Sequence, residues 1–277
     1  MGFDVFSLES IKERKAYAFL LAMFYSFVSI AAASFVFPEN AIIFSIAFTS
    51  LLLLPITAKL LEKEKDIESR SEKFAPADFL KEHKDVLQIY LLMFLGIVAA
   101  FFIFSIVTSK PVMSQMLQNQ EDFVFSLYVS PKYLDFSDFF LIFGNNLKVI
   151  IVCYLVALFF GTGMIFIVTW NASIWGTIFG TIINNAASSG LNPLLFTLFL
   201  SMAILPHLII EASAYYVSGI SGGIISKAAE TDGLRSRRFQ IISKKSIMMF
   251  WGAMFLVAIG ALVESQLAPW LVGVFFG

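Results

Sequence analysis

Long uncharged runs dominate the chain, at 16–37, 40–58, 86–109, 149–210 and 246–263. A bilayer core roughly 30 Å thick is crossed by about 20 apolar residues in a helix. Backbone groups in lipid must bond within their own segment or around a closed barrel. Barrel strands alternate apolar and polar positions. The runs here are continuous, so the pattern predicts an all-α, polytopic transmembrane helix bundle. The fourth run is too long for one crossing, and it continues to 226 if Glu211 is tolerated.

Charge orders these runs. Lys12, Arg14 and Lys15 precede the first. Lys59, Lys63, Lys65, Arg70, Lys73, Lys81 and Lys84 lie between the second and third. Lys227, Arg235, Arg237, Arg238, Lys244 and Lys245 precede the last. Segment 110–148 has only Lys110, Lys132 and Lys148. The positive-inside rule then predicts a multi-pass cell-membrane protein with a cytoplasmic N-terminus. The fourth crossing runs inward from Asn146 to Trp170, so 171–226 must cross an even number of times. Two crossings fit, one ending near Leu205 and one over 206–226, since Pro suits the first position of a helix. The count is about seven, with five as the alternative, and the C-terminus is external. Stretch 172–183 is left over as a half-helix or re-entrant piece.

The organisation expected is a cytoplasmic segment at 1–15, a transmembrane hairpin at 16–61, a charged cytoplasmic helix at 62–85 and a main bundle at 86–277. Both charge signs recur at helical spacing over 62–85, as on a solvated helix. Asp4, Glu9 and Glu13 near the start are unlike a secretory signal, so the first run reads as a retained anchor. The aromatic stretch 120–143 is expected at the outer interface.

Composition agrees with the pattern. The 277 residues are 58% hydrophobic and 14% charged, with 32 Phe, against about 25% charged in soluble domains. A net charge of −1 gives no basic field for nucleic acid. The single cysteine, Cys153, permits no intramolecular disulfide. The lipid bilayer and other membrane or envelope proteins are the expected partners, and a homo-oligomer stays open.

Few ionisable groups fall inside the runs. Each costs about 2.5 kcal/mol or more at the bilayer centre and is a functional candidate. His207 and Glu211 lie four apart on one helix face, followed by a small-residue stripe through Ser218 and Gly222. Glu264 ends a similar stripe with Gly252 and Gly260. Gly176 and Gly180 have small-xxx-small spacing for helix packing. Asn145 and Asn146 open the fourth crossing. Topology puts Asn145, Asn146, His207, Glu211 and Glu264 in one leaflet, and the cost of an isolated carboxylate in hydrocarbon should draw Glu211 to Asn146 or Glu264. Such a cluster reads as a binding or proton-handling site, or as polar glue between helices.

Catalysis finds little support. Gly219-Ile220-Ser221-Gly222 matches a rhomboid-type G-x-S-G, but a nucleophile needs a base within reach. His207 is about 21 Å back along the same helix. Two distant histidines and one cysteine make no conventional zinc site, and no nucleotide-binding loop is present. The chain is expected to be no enzyme and to hold no metal or cofactor.

Phe143-Gly144-Asn145-Asn146, Phe160-Gly161, Asn171, Gly176 and Gly180, then Leu205-Pro206-His207 with Glu211, Ala214 and Gly219, and finally Glu264 form an ordered series over 143–270. In it the chain resembles the stage II sporulation protein M family of integral membrane proteins. The resemblance implies a membrane scaffold that anchors or localises other envelope proteins, such as peptidoglycan-degrading enzymes. The alternative from the residues alone is a small-solute or proton-coupled transporter built on the Glu/His cluster.

Overall fold

A computed structural model describes residues 14–69, 76–108, 136–188, 190, 192–267 and 270. The outer aromatic stretch expected at 120–143 falls mostly outside the described residues. Seven α-helices occur among them: α1 (Ala16–Val36), α2 (Ala41–Ser69), α3 (Pro76–Val107), α4 (Phe136–Phe160), α5 (Met164–Ser188), α6 (Pro193–Asp232) and α7 (Arg237–Leu262). By length and apolarity six stretches can each cross a membrane. The fourth, Asp138–Ser188, has 51 residues, more than twice the need of one crossing. It turns back at Gly161–Gly163, where Gly161 holds φ +60, a conformation that favours glycine.

Side-chain contacts set the direction of each helix. Lys15 reaches Asp85 and Gln88, so α1 and α3 start at one end. His83 meets Glu64 and Glu68, so α2 ends there. Gly176 faces Val98 and Gly180 faces Ser105, which makes α5 parallel to α3. Ser218 meets Ile150 and Gly222 meets Tyr154, which makes α6 parallel to α4. Gly219 lies on Met164, so α5 opposes α6. Ser246 pairs with Ser221 and Gly260 with Glu211, so α7 opposes α6. The chain therefore crosses seven times in alternating directions. The charged starts of α1, α3 and α7 share one end, called here the basic end; Glu211 and Glu264 lie toward the far end.

Three boundaries differ from expectation. Stretch 172–183 is no half-helix; it is the middle of α5. Pro206 does not start a crossing either, because α6 runs unbroken through it for 40 residues. The start signal belongs to the preceding proline: Asn192 caps the helix by accepting from the Leu194 and Leu195 amides, and Pro193 sits at the first position. A proline inside a helix lacks one hydrogen bond, and the packed neighbours of α6 hold it regardless. Segment 62–85 is likewise not one helix. It is shared between the end of α2 and the start of α3.

Glycines let the helices close. A Cβ on Gly96 would sit 2.3 Å from the Phe19 carbonyl oxygen, one on Gly176 2.4 Å from that of Val98, and one on Gly222 2.3 Å from that of Tyr154. Such close backbone approach is how apolar helices gain van der Waals contact in lipid. Gly252 does not join this packing: it is exposed, and nothing lies within 4 Å of where its Cβ would be. The buried stripe of α7 runs instead through Met249, Ala253, Val257 and Gly260. Gly252 is one residue off that stripe, about 100° around the helix.

Candidate functional site

At the far end Glu211 is buried, 1% exposed. The Asn146 side-chain amide donates to Glu211 Oε1 at 2.6 Å, and the Tyr215 hydroxyl donates to the Asn146 carbonyl oxygen. Tyr215 is one helical turn beyond Glu211, so α6 presents both to Asn146 of α4. A π-helical turn at Val263–Leu267 carries Glu264 to the same cavity wall as Glu211. A proton shared between two neighbouring carboxyl groups relieves their repulsion and allows this approach. Gly260 makes room for it: a Cβ there would lie 2.9 Å from Glu211 Cγ.

These groups border a partly open cavity of about 50 Å³. Asn145, Asn146, Asn171, Trp175, Tyr215, Glu211 and Glu264 supply its polar and aromatic wall, and three isoleucines the rest. A water needs about 10–15 Å³ on this measure, so the space suits a few waters or one compact polar group. The expected approach of Glu211 to Asn146 and Glu264 is thus present in the geometry, and Asn145 shares the cavity. His207 does not line it. The ring lies against Trp175, with centroids 5.6 Å apart, and neither nitrogen has a well-formed hydrogen bond among the described residues. Its polar neighbour is the Ala203 carbonyl one turn back. Ser221 donates to the Ser218 carbonyl at 2.6 Å, and its own carbonyl accepts from Ser246 at 2.5 Å, so this serine serves helix packing.

A second cluster, which the sequence pattern did not reveal, sits at the basic end. Glu64, Glu68, His83 and Lys245 are all buried, at 0%, 3%, 4% and 5% exposure. One ring nitrogen of His83 meets Glu64 and the other meets Glu68 Oε1 at 2.8 Å. Lys245 Nζ lies 2.9 Å from Glu68 Oε2 and 3.0 Å from the Glu68 carbonyl. A neutral imidazole has one N–H; two carboxylate partners call for the doubly protonated ring. Imidazolium and ammonium then balance the two carboxylates across α2, α3 and α7. The signal available in the sequence was the apolar stripe of α2: Leu53, Thr57, Leu60, Glu64 and Glu68 all face inward, at helical spacing.

Seven apolar helices packed through glycine and carrying polar groups inward define a multi-pass α-helical membrane protein. The chain belongs to the stage II sporulation protein M family, whose sequence pattern matches residues 89–269. The match begins within α3, earlier than the 143–270 series of resembling residues. No curated protein and no solved structure matches the chain.

Proposed function

We propose that this protein is a membrane scaffold that holds other envelope proteins in place. The observation that carries the reading is the closed interior: glycine-mediated backbone contacts run the length of the bundle, from Gly180 through Gly96 to Gly222, and a balanced ion cluster closes the basic end. A fixed body of this kind suits positioning. Family membership supports it through the role for which the family is known. In this reading the basic end is cytoplasmic, as the positive-inside rule favours, and the Glu211 cavity faces the external side. Affinity capture from a mild detergent extract tests it. Recovery of an envelope protein, with loss of that protein's localisation when this chain is deleted, is the expected result. Recovery of none, alongside solute flux in reconstituted vesicles, would sink the scaffold.

One observation favours the transporter alternative, namely that a partly open cavity reaches a buried carboxylate. Discontinuous helices and two open sides would be needed for alternating access. Proton or solute flux that is lost in Glu211→Gln would establish it.

A further inference from the structure

We propose that the cavity at Glu211 and Glu264 is a binding site for a primary ammonium group, carried either by a free small amine or by a lysine side chain of a partner protein. The site chemistry stands on its own; the lysine source rests on the scaffold reading. Charge is the first argument. With one proton shared between them the two carboxyl groups carry one negative charge, and among the described residues no Lys or Arg borders the cavity. Lys148, on the same helix as Asn145 and Asn146, is exposed to the surroundings instead. Burying a charge without a partner is costly, and a monovalent cation neutralises this one.

Shape and chemistry are the second argument. An ammonium group has three donors and no acceptor. The wall supplies carboxylate oxygens from Glu211 and Glu264, amide oxygens from Asn145 and Asn171, and the indole of Trp175, the aromatic ring most attractive to cations. The Asn171 amide nitrogen is already used on the Ile167 carbonyl at 2.8 Å, which leaves its oxygen as the acceptor. A cavity of about 50 Å³ has room for methylammonium, whose N–H groups can donate to these oxygens; tetramethylammonium has no N–H to offer. The protein also holds its own precedent: at the basic end the Lys245 ammonium binds a buried carboxylate beside a second one, 2.9 Å from Glu68. The far end has the paired carboxylates and the room, and no lysine lines it among the described residues.

The test is thermal unfolding of the full chain in detergent, titrated with methylammonium chloride against tetramethylammonium chloride at equal ionic strength. A ligand that binds only the folded state raises the midpoint saturably. The expected result is a saturable upward shift with methylammonium, none with tetramethylammonium, and loss of the shift in Glu264→Gln. Should Glu264→Gln fail to fold, Asn145→Ala, at the half-exposed rim, is expected to weaken the binding several-fold. Equal shifts by both salts, no shift by either, or a shift unchanged in the variants would overturn the proposal. A captured partner that methylammonium releases and tetramethylammonium does not identifies the lysine source; saturable binding with capture unaffected identifies the free amine. Failure of capture alone sinks the scaffold and leaves this site standing.

Discussion

The two ends of the bundle solve the same physical problem differently. Each brings a pair of glutamates into the interior, all buried except Glu264, which is half-buried. At the basic end Glu64 and Glu68 are matched by His83 and Lys245. At the far end Glu211 and Glu264 are matched by an asparagine, a tyrosine and a proton, and a cavity opens beside them. The first arrangement is ion-paired and holds helices together, with Glu64 Oε1 left without a hydrogen-bond partner among the described residues. The second has capacity left over, on which the proposed binding site rests. The ends also differ in origin: Glu64, Glu68 and His83 precede the region that matches the family, whereas Asn146, Glu211 and Glu264 all fall within it. The first hairpin is thus bolted onto the family core through Lys245.

The largest effect is expected from breaking the ion-paired end. Lys245→Met leaves a buried, under-compensated carboxylate and should cost about 3–5 kcal/mol, seen as a large drop in the unfolding midpoint in detergent. A midpoint like that of the unaltered protein would mean that water already reaches this cluster and that the ends do not differ. Next is Gly222→Ala, whose new Cβ must push the Tyr154 backbone away; about 1–3 kcal/mol is expected, while Gly252→Ala should change nothing measurable. Glu211→Ala frees the Asn146 amide in the interior, a loss of about 1–3 kcal/mol. It should fall low in that range, because water in the cavity can rehydrate the amide. Glu39→Ala, in the exposed turn between α1 and α2, is the comparison and should lie within about 0.5 kcal/mol of zero. Smallest is Ser246→Ala, which removes one interhelical hydrogen bond to the Ser221 carbonyl worth about 0.6 kcal/mol.

The far end was legible in the sequence because its charged groups interrupt otherwise uncharged runs. Glu211 and Glu264 have nowhere polar to go, and alternating topology forces them to one level. Asn146 was legible for the same reason. The basic end was not, because Glu64, Glu68 and His83 sit among Lys63, Lys65, Asp66 and Lys84, where a mixed-charge stretch looks like a solvated helix. Only the inward stripe through Leu60 sets the buried ones apart, and that requires knowing where the neighbouring helices lie. The parity argument gave seven crossings yet assigned the break to Pro206. Flanking composition cannot tell a proline that starts a helix from one carried inside it; the Asn192 cap can. His207 was grouped with Glu211 by spacing, and the structure turns it toward Trp175 instead, since residues four apart still diverge by about 40° around a helix.

The contrast between an open far end and a closed interior is tested most directly by thiol accessibility. Cys153 is buried and is removed by Cys153→Ala; Asn145→Cys or Ser221→Cys is then introduced singly. Asn145 borders the cavity, and Ser221 is fully buried in α6, ten residues nearer the basic end than Glu211. Both variants, in native membranes, are exposed to a small, charged, membrane-impermeant methanethiosulfonate. The account predicts rapid labelling of Asn145→Cys from one side of the membrane only, slowed by methylammonium, and no labelling of Ser221→Cys in the folded protein. Comparable labelling of Ser221→Cys, or labelling of Asn145→Cys from both sides, would contradict it.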